Sequence, residues 1–375
     1  MDNRVLSSIS IVFIVMLIFF IQIITPKLTR KEIYFGIRIP EKQLENEKLK
    51  EIYKQYVINN IIASVAFVIM AFLLFYYLNE YFNILNAILV IIYLIMSFFV
   101  YFIANKKVKQ VKSELNWNKA KKSAVVVDTN FTKEKSKDML ASPLWFLIPL
   151  VIVIINIYIG YKVYNKLPDV VATHFNFAGK ASGWTKKSYK LIWQMPAVQI
   201  FMLVIMFFSY KTIGWSKQQI SASNPKESKE RNKIFRYRWS AYMILMSIVI
   251  SILFTLGNLS ILQVIKMSGK VSMIVIFAIT MLMIVSSMVM SIKTGQGGSR
   301  IKIEDINEED TKLQDRDDDR YWKFASSIYV NKDDPAVFVE KRFGIGWTMN
   351  FGNIKTIIIF VVFLILCIGL PVLIH

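Results

Sequence analysis

The stretch VINNIIASVAFVIMAFLLFYYL (Val57–Leu78), followed closely by FNILNAILVIIYLIMSFFVYFIA (Phe82–Ala104), decides the fold. Neither run holds a charged side chain. Six more runs share that property: Leu6–Ile24, Pro143–Tyr161, Leu191–Tyr210, Trp239–Leu262, Val271–Ile292 and Thr356–Ile374. A hydrocarbon core about 30 Å thick needs about 20 apolar residues at a rise of about 1.5 Å each. The pattern predicts an all-α polytopic membrane protein with about eight transmembrane helices. A small extracellular strand-like loop and a small β-rich cytoplasmic segment complete it.

The formal charge of +20 is distributed by loop. Lys and Arg crowd the first, third, fifth and seventh connections, and the second carries none. Under the positive-inside rule the odd loops are cytoplasmic and both termini extracellular. The charge therefore points to the anionic inner leaflet of the bilayer and not to direct binding of nucleic acid. The first run has no cleavage site, and Lys27, Arg30 and Lys31 follow it, so it reads as a retained span. The chain is then an integral protein of a plasma membrane, and abundant Ile, Lys and Asn suggest an AT-rich bacterial genome. The single cysteine, Cys367, has no partner for an internal disulfide.

The chain then divides as follows. Residues 1–104 hold three transmembrane helices with an amphipathic cytoplasmic loop (26–56). Residues 105–142 form a basic cytoplasmic connector. Residues 143–210 are a helix pair flanking an extracellular loop (162–190). Residues 211–292 add a cytoplasmic basic loop and a helix pair. Residues 293–355 hold an acidic linker and a β-rich module, and 356–375 the last span.

In the first loop, Gly36 permits a turn and Pro40 suits the start of a helix. Glu41–Tyr56 reads as an amphipathic helix lying on the inner leaflet or docking a cytoplasmic partner. The fifth loop ends in a basic surface anchor, Lys233–Trp239. Thr294-Gly-Gln-Gly-Gly-Ser299 lacks the ending of a phosphate loop and reads as a flexible linker. The glycosylation-like triplet Asn130-Phe131-Thr132 is discarded because it falls in a cytoplasmic loop. Glu304–Asp319 reads as a solvated acidic stretch. After it, aromatic and β-branched residues flank Asn331-Lys-Asp-Asp-Pro335, predicting a β-hairpin across that turn. Asp333 and Asp334 suit a divalent cation, but adjacent acids in a turn are more often capping or solvated groups. Phe35-Gly-Ile-Arg-Ile-Pro40 is echoed by Phe343-Gly-Ile-Gly-Trp-Thr348, which suggests the same glycine turn twice. Arg342 is expected to pair with an acid of the first loop or with a lipid phosphate.

The fourth loop runs Leu167-Pro-Asp-Val-Val-Ala-Thr-His-Phe-Asn-Phe-Ala-Gly-Lys-Ala-Ser-Gly-Trp184. Pro168 opens it, Val170–Phe177 alternates as a strand, Gly179 and Gly183 mark turns, and Trp184 suits a membrane interface. A catalytic zinc needs about three protein ligands, and no outer loop supplies them around His174. His174 then serves either as a hydrogen-bonding member of the loop or as a ligand or pH contact.

No span holds a charged side chain, which weakens a proton- or sodium-coupled transporter and an intramembrane protease. Asn59, Asn60, Asn86, Asn156, Gln194, Gln199, Thr255, Asn258 and Thr280 are expected to hydrogen-bond between helices. No nucleophile elbow, zinc helix or Walker loop appears, so no catalytic residue, metal or cofactor is assigned.

The loop Leu167-Pro168…His174-Phe175-Asn176…Gly179…Gly183-Trp184 resembles the extracellular module of the SdpI-like bacterial membrane proteins. Gly36-Ile-Arg38-x-Pro40 and Phe343-Gly344-Ile-Gly346-Trp347-Thr resemble a further motif of that family. Tyr329–Asn350, with Asn331, Asp333, Asp334 and Arg342, is similar to a C-terminal module of its uncharacterised relatives. The resemblance implies a non-enzymatic receptor or immunity protein. Such a protein neutralises an extracellular peptide and holds a cytoplasmic transcriptional regulator at the membrane. The alternative is a transporter or exporter of a peptide or amphiphile along a neutral path, with Pro149 and Pro196 breaking helices beside it.

Overall fold

A computed structural model describes residues 3–78, 82–117, 123–124, 139–175, 181–265, 268–303, 311 and 313–374. Its elements begin α1 (Asn3–Leu28), β1 (Ile33–Tyr34), β2 (Ile37–Arg38), α2 (Glu47–Tyr77), α3 (Phe82–Glu114) and β3 (Ser123–Ala124). They continue α4 (Leu147–Val163), β4 (Val170–Phe175), β5 (Ala181–Lys186), α5 (Lys190–Trp215), α6 (Pro225–Ile261) and α7 (Gly269–Thr294). The chain ends β6 (Gln314–Asp315), β7 (Trp322–Lys323), β8 (Ile328–Tyr329), β9 (Phe338–Glu340), β10 (Trp347–Met349) and α8 (Ile354–Ile374). Among the described residues seven helices are long and apolar enough to cross a bilayer. The eighth run forms α8, in which Ile354–Leu366 is a shorter apolar helix. The chain is a mostly helical, multi-pass membrane protein with small β elements.

The chain separates into two units. The first is Met1–Val127, Lys217–Arg231 and Thr294–Thr356, and the second is Asp128–Ser216, Asn232–Lys293 and Ile357–His375. In the first unit α1, α2 and α3 close around Ile11, Val15, Phe67, Ala71, Phe75, Leu89 and Tyr93. A second cluster sits where these helices become polar. Phe35, Ile37 and Ile39 pack there against Leu49, Ile52 and Tyr56 of α2, Tyr101, Ala104 and Val108 of α3, and Ala325. Burying one such aromatic or aliphatic side chain contributes about 1.5–3 kcal/mol. The tail's short strands form two antiparallel hairpins, β7–β8 and β9–β10, while β6 lies parallel to β3.

Pieces of all four odd connections belong to this first unit and bond to one another. Thr311 donates to the Ala222 carbonyl (2.6 Å), Arg300 to that of Lys27 (2.7 Å), and Lys217 to Asp334 (2.8 Å). Segments in such contact share one side of a membrane, because a polar backbone between helices cannot cross hydrocarbon.

Several local expectations are corrected. No separate amphipathic helix covers 41–56. Glu41–Gln43 is a single 3-10 turn behind Pro40, and Asn46 then caps α2, its side chain accepting from the Lys48 amide at 3.0 Å. Nothing between Tyr56 and Val57 breaks a helix, so the amphipathic turns run straight into the span. The glycine stretch after α7 is a buried turn and no flexible linker. Gln296 both donates to and accepts from the backbone of Gly346, at 3.0 and 2.6 Å. The hairpin expected across 331–335 is absent. The hairpins turn at 324–327 and 341–346, and 331–335 is a connection fastened by Asn350. The fully buried Asn350 amide donates to the carbonyls of Asn331, Asp334 and Ala336 at 2.9, 3.0 and 3.1 Å. The triplet at 130–132 and residues 304–310 of the acidic stretch lie outside the described residues.

The second unit holds α4, α5, most of α6, α7, α8 and the β4–β5 hairpin. Arg236, expected on a basic surface, is buried. It caps the end of α5, donating to the carbonyls of Ile213 and Ser216 (3.1 Å to the latter), with Asn232 bracing its Nε at 2.7 Å. A guanidinium there meets the unsatisfied carbonyls and negative pole of the helix end. Pro149 and Pro196 are buried within helices that continue past them.

The glycine echo is visible as geometry. Gly36 and Gly344 have φ of +80° and +75°. A Cβ at Gly36 would lie 2.5 Å from that of Ser326, whereas one at Gly344 would meet only a Thr25 methyl at 3.7 Å. Left-handed backbone costs an L-residue about 1–2 kcal/mol, and overpacking a core adds about 1–3 kcal/mol. Gly344→Ala should therefore lower stability by about 1–2 kcal/mol and Gly36→Ala by about 2–5 kcal/mol. Thermal unfolding of the detergent-solubilised chain checks the order; equal losses would show that the clash is relieved.

Candidate functional site

Two places carry the expected functional residues, one in each unit. In the first, the run Asp315-Arg-Asp-Asp-Asp319 is no solvated linker: it supplies the counter-ions for three buried cations. Arg38 donates from Nη1 to Asp315 (2.9 Å) and from Nε to Asp318 (3.2 Å), and its backbone N–H donates to Asp319 (3.1 Å). Lys112, at the end of α3, reaches Asp317 and Asp319 at 2.6 and 2.7 Å. Arg342 pairs with both Asp318 and Asp319 and donates to the Gly36 carbonyl at 2.9 Å. The acid that pairs with Arg342 thus comes from the tail's own approach and not from the first loop. The first loop contributes a carbonyl instead.

Electrostatics follow from burial. Burial alone would push the Asp318 carboxyl up, but Arg342 and Arg38 outweigh it and hold it at about 2. Asp319 is likewise held below its usual range, with Arg342 and Lys112 overcoming burial. Arg342 also lies 5.2 Å from the Trp322 ring centroid. A second buried pair adjoins this group: Arg30 bonds Glu340 at 2.8 Å, with both side chains nearly sealed, and Glu32, 3.6 Å from Arg38, acts with Asp315 on Arg30 as well.

The two echoed motifs converge here. Phe35 and Phe343 both contact Tyr101, with ring centroids 5.7 and 4.2 Å away. Arg38 and Arg342 both grip Asp318. The structure thus brings together Gly36, Arg38, Arg342, Phe343 and Gly344. Asn331, Asp334 and Asn350 fall in the neighbouring turn, where Asp334 is a buried cap accepting from Tyr329 (3.1 Å) and the Ala336 amide (3.0 Å). Asp333 is exposed, and Gly346 and Trp347 belong to the β9–β10 hairpin. Glu32, Lys112, Asp315, Asp317, Asp318 and Asp319 were not singled out in the sequence. The available signal was two arginines, Arg38 within one glycine motif and Arg342 just before the other, which need acids from a loop on the same side. Among the described residues no group of three or more His, Cys, Asp or Glu could hold a metal ion.

In the second unit β4 and β5 form an antiparallel hairpin between α4 and α5, with register shifts around His174. Val171 and Leu167 anchor it against Leu191, Ile261 and Leu262. His174 opposes Gly183, where a Cβ would lie 2.9 Å from that of His174. Its Nδ1 is 3.2 Å from the Thr173 hydroxyl, which meets Thr185 at 3.1 Å. Val170, Phe175 and Trp184 are exposed. Pro168 precedes β4; Asn176 and Gly179 lie outside the described residues.

The amides expected between helices include one bonded group in this unit. Asn156 donates to Gln199 (3.2 Å) and Thr255 (2.7 Å), and Asn258 donates to Asn156 (3.4 Å). Asn60 and Thr280 bond carbonyls of their own helices instead.

Comparison with known families finds two local matches. Residues 151–200, which include the hairpin, match a domain of unknown function (DUF1648). Residues 332–357, which include β9 and β10, match a family of unknown function (DUF5808). Neither the curated proteins nor the solved structures yield a match.

Removing one partner of a buried ion pair strands the others, at about 3–5 kcal/mol. Arg342→Ala should lose that much, and Arg342→Lys a large part of it, because an ammonium cannot reproduce the fork that reaches two carboxylates and a carbonyl. Limited proteolysis within 313–353 reads the loss. The acid dependence has a definite sign. The folded Asp318 lies below its ordinary 3.8, so its contribution is whole above that pH and fades as pH falls toward about 2. Protease sensitivity of 313–353 should rise in that window, and a flat profile would show the pairs unimportant.

Proposed function

We propose that this chain is a non-enzymatic, sensing or immunity-type protein of the bacterial plasma membrane. In this reading the β4–β5 hairpin faces outward and meets an extracellular peptide or amphiphile. The ion-paired module of the first unit faces the cytoplasm and holds a regulator. One observation carries the reading. The hairpin is tethered at both ends to membrane helices, and among the described residues its strands pair only with each other. A two-stranded ribbon leaves backbone donors and acceptors on both outer edges, which an extended peptide can satisfy as an added strand. Exposed Val170, Phe175 and Trp184 offer apolar purchase beside those edges. The family match over 151–200 spans this ribbon, in keeping with the resemblance to SdpI-like proteins.

Sidedness is tested by single cysteines at Ser182 and Lys323 in a Cys367→Ala background. An impermeant thiol reagent on intact cells should label Ser182→Cys and spare Lys323→Cys; the reverse pattern would invert the assignment. Function is tested by capture of secreted peptides on the chain in nanodiscs. Trp184→Ala should weaken capture by about tenfold, as expected for losing about 1.4 kcal/mol at an aromatic anchor. Equal capture by both forms would remove the hairpin as the binding site.

A further inference from the structure

The tail contains three consecutive non-glycine residues in left-handed backbone, Phe324, Ala325 and Ser326, with φ of +46°, +51° and +64°. They form the turn between β7 and β8. L-residues resist this conformation, and it persists only where the surroundings hold it and tends to mark functional positions. Two of the three are held. Ala325 is buried in the cluster with Tyr101, Ala104 and Val108 of α3. Ser326 is 4% exposed and its hydroxyl accepts from Asn105 at 3.4 Å. The third is tied through its backbone, its carbonyl accepting the Ser327 N–H at 3.1 Å, while its side chain stands outside. Phe324 is 68% exposed, so burial of its own ring does not offset its strained backbone.

The level of the turn on α3 says what covers that ring. The apolar run of α3 ends at Ala104, and Asn105, Lys106 and Lys107 follow. That change of composition is where a spanning helix leaves hydrocarbon for headgroups. Asn105 bonds both the Phe35 carbonyl (2.6 Å) and Ser326, so the turn sits at this boundary. Phe102 and Ile103 are exposed on α3 just before the boundary, and Lys106, Lys107 and Lys323 are exposed at or beside it. An exposed aromatic ring on a turn fixed where the apolar run of α3 ends, with exposed ammonium groups at the same level, matches the composition of an interfacial anchor.

We propose that the Phe324 turn is a membrane-inserting anchor: its ring enters the acyl boundary of the leaflet that meets the first unit, and Lys106, Lys107 and Lys323 face the phosphates there. This site is separate from the hairpin and does not depend on what the hairpin binds, nor on which leaflet is the inner one. The constrained Ala325 and Ser326 fix the ring's depth relative to α3, so the tail module is held to the bilayer as well as to the helices.

The test uses the full chain, Cys367→Ala, in phosphatidylcholine–phosphatidylglycerol nanodiscs, with an environment-sensitive fluorophore on Phe324→Cys. Lys332→Cys, exposed in the tail, serves as the aqueous reference, and Phe102→Cys as the lipid reference. The expected result is blue-shifted emission from position 324, quenched by nitroxide-bearing lipids and not by aqueous iodide, as at 102. Emission and iodide quenching like those at 332 would overturn the proposal. Protection from both quenchers would overturn it too, and would assign the ring to a protein surface. Because labelling replaces the ring, a second measurement keeps Phe324. Crosslinking of Lys323→Cys to a thiol-reactive phospholipid headgroup should proceed at a rate close to that of Lys106→Cys; its failure would contradict the headgroup placement.

Discussion

Three cations withdrawn from water need acids at the same place, and this constraint shapes the first unit. Arg38, Lys112 and Arg342 come from three segments far apart in sequence, and one short acidic run answers all three. A lone buried charge is costly enough that none of these side chains can hold its position without the others. The first loop, the end of α3 and the tail therefore fold onto one another as a set. Apolar packing around Tyr101 supplies area, and the charges fix register: Phe35 and Phe343 meet the same ring where both arginines meet Asp318.

The membrane character of this chain was plain from its uncharged runs, because hydrocarbon tolerates little else. The glycine turns at 36 and 344 were also legible, since the motif Phe-Gly-Ile occurs twice and each glycine adopts a left-handed angle. The role of Asp315–Asp319 was not. In a linear reading a run of acids looks solvated, and only the fold shows that two of its three partners, Arg38 and Lys112, arrive from more than two hundred residues away. The buried turn at 294–299 misled for a related reason: glycines that permit flexibility also permit close approach, and composition does not distinguish them. The boundary between Tyr56 and Val57 misled because polarity changes there without a helix breaker.

The second unit follows a different economy. Its polar contacts are neutral or cap a helix, as with Asn156, Gln199 and Thr255, or Arg236 at the end of α5. Among the described residues its hairpin strands pair only with each other, and the first unit's β9 carries Glu340 into a buried pair with Arg30. The first unit is organised by buried ion pairs, and the second by apolar packing, neutral amides and a two-stranded ribbon.

The central claim is that the ion cluster makes the first loop and the tail one cooperative structure. Hydrogen–deuterium exchange on the chain in nanodiscs, wild type against Arg38→Ala, tests it most directly. The account predicts that amides of 33–39 and of 313–350 lose protection together, by the same factor, while those of α4–α7 keep theirs. Faster exchange confined to 33–39, with the tail as slow as in wild type, would contradict it.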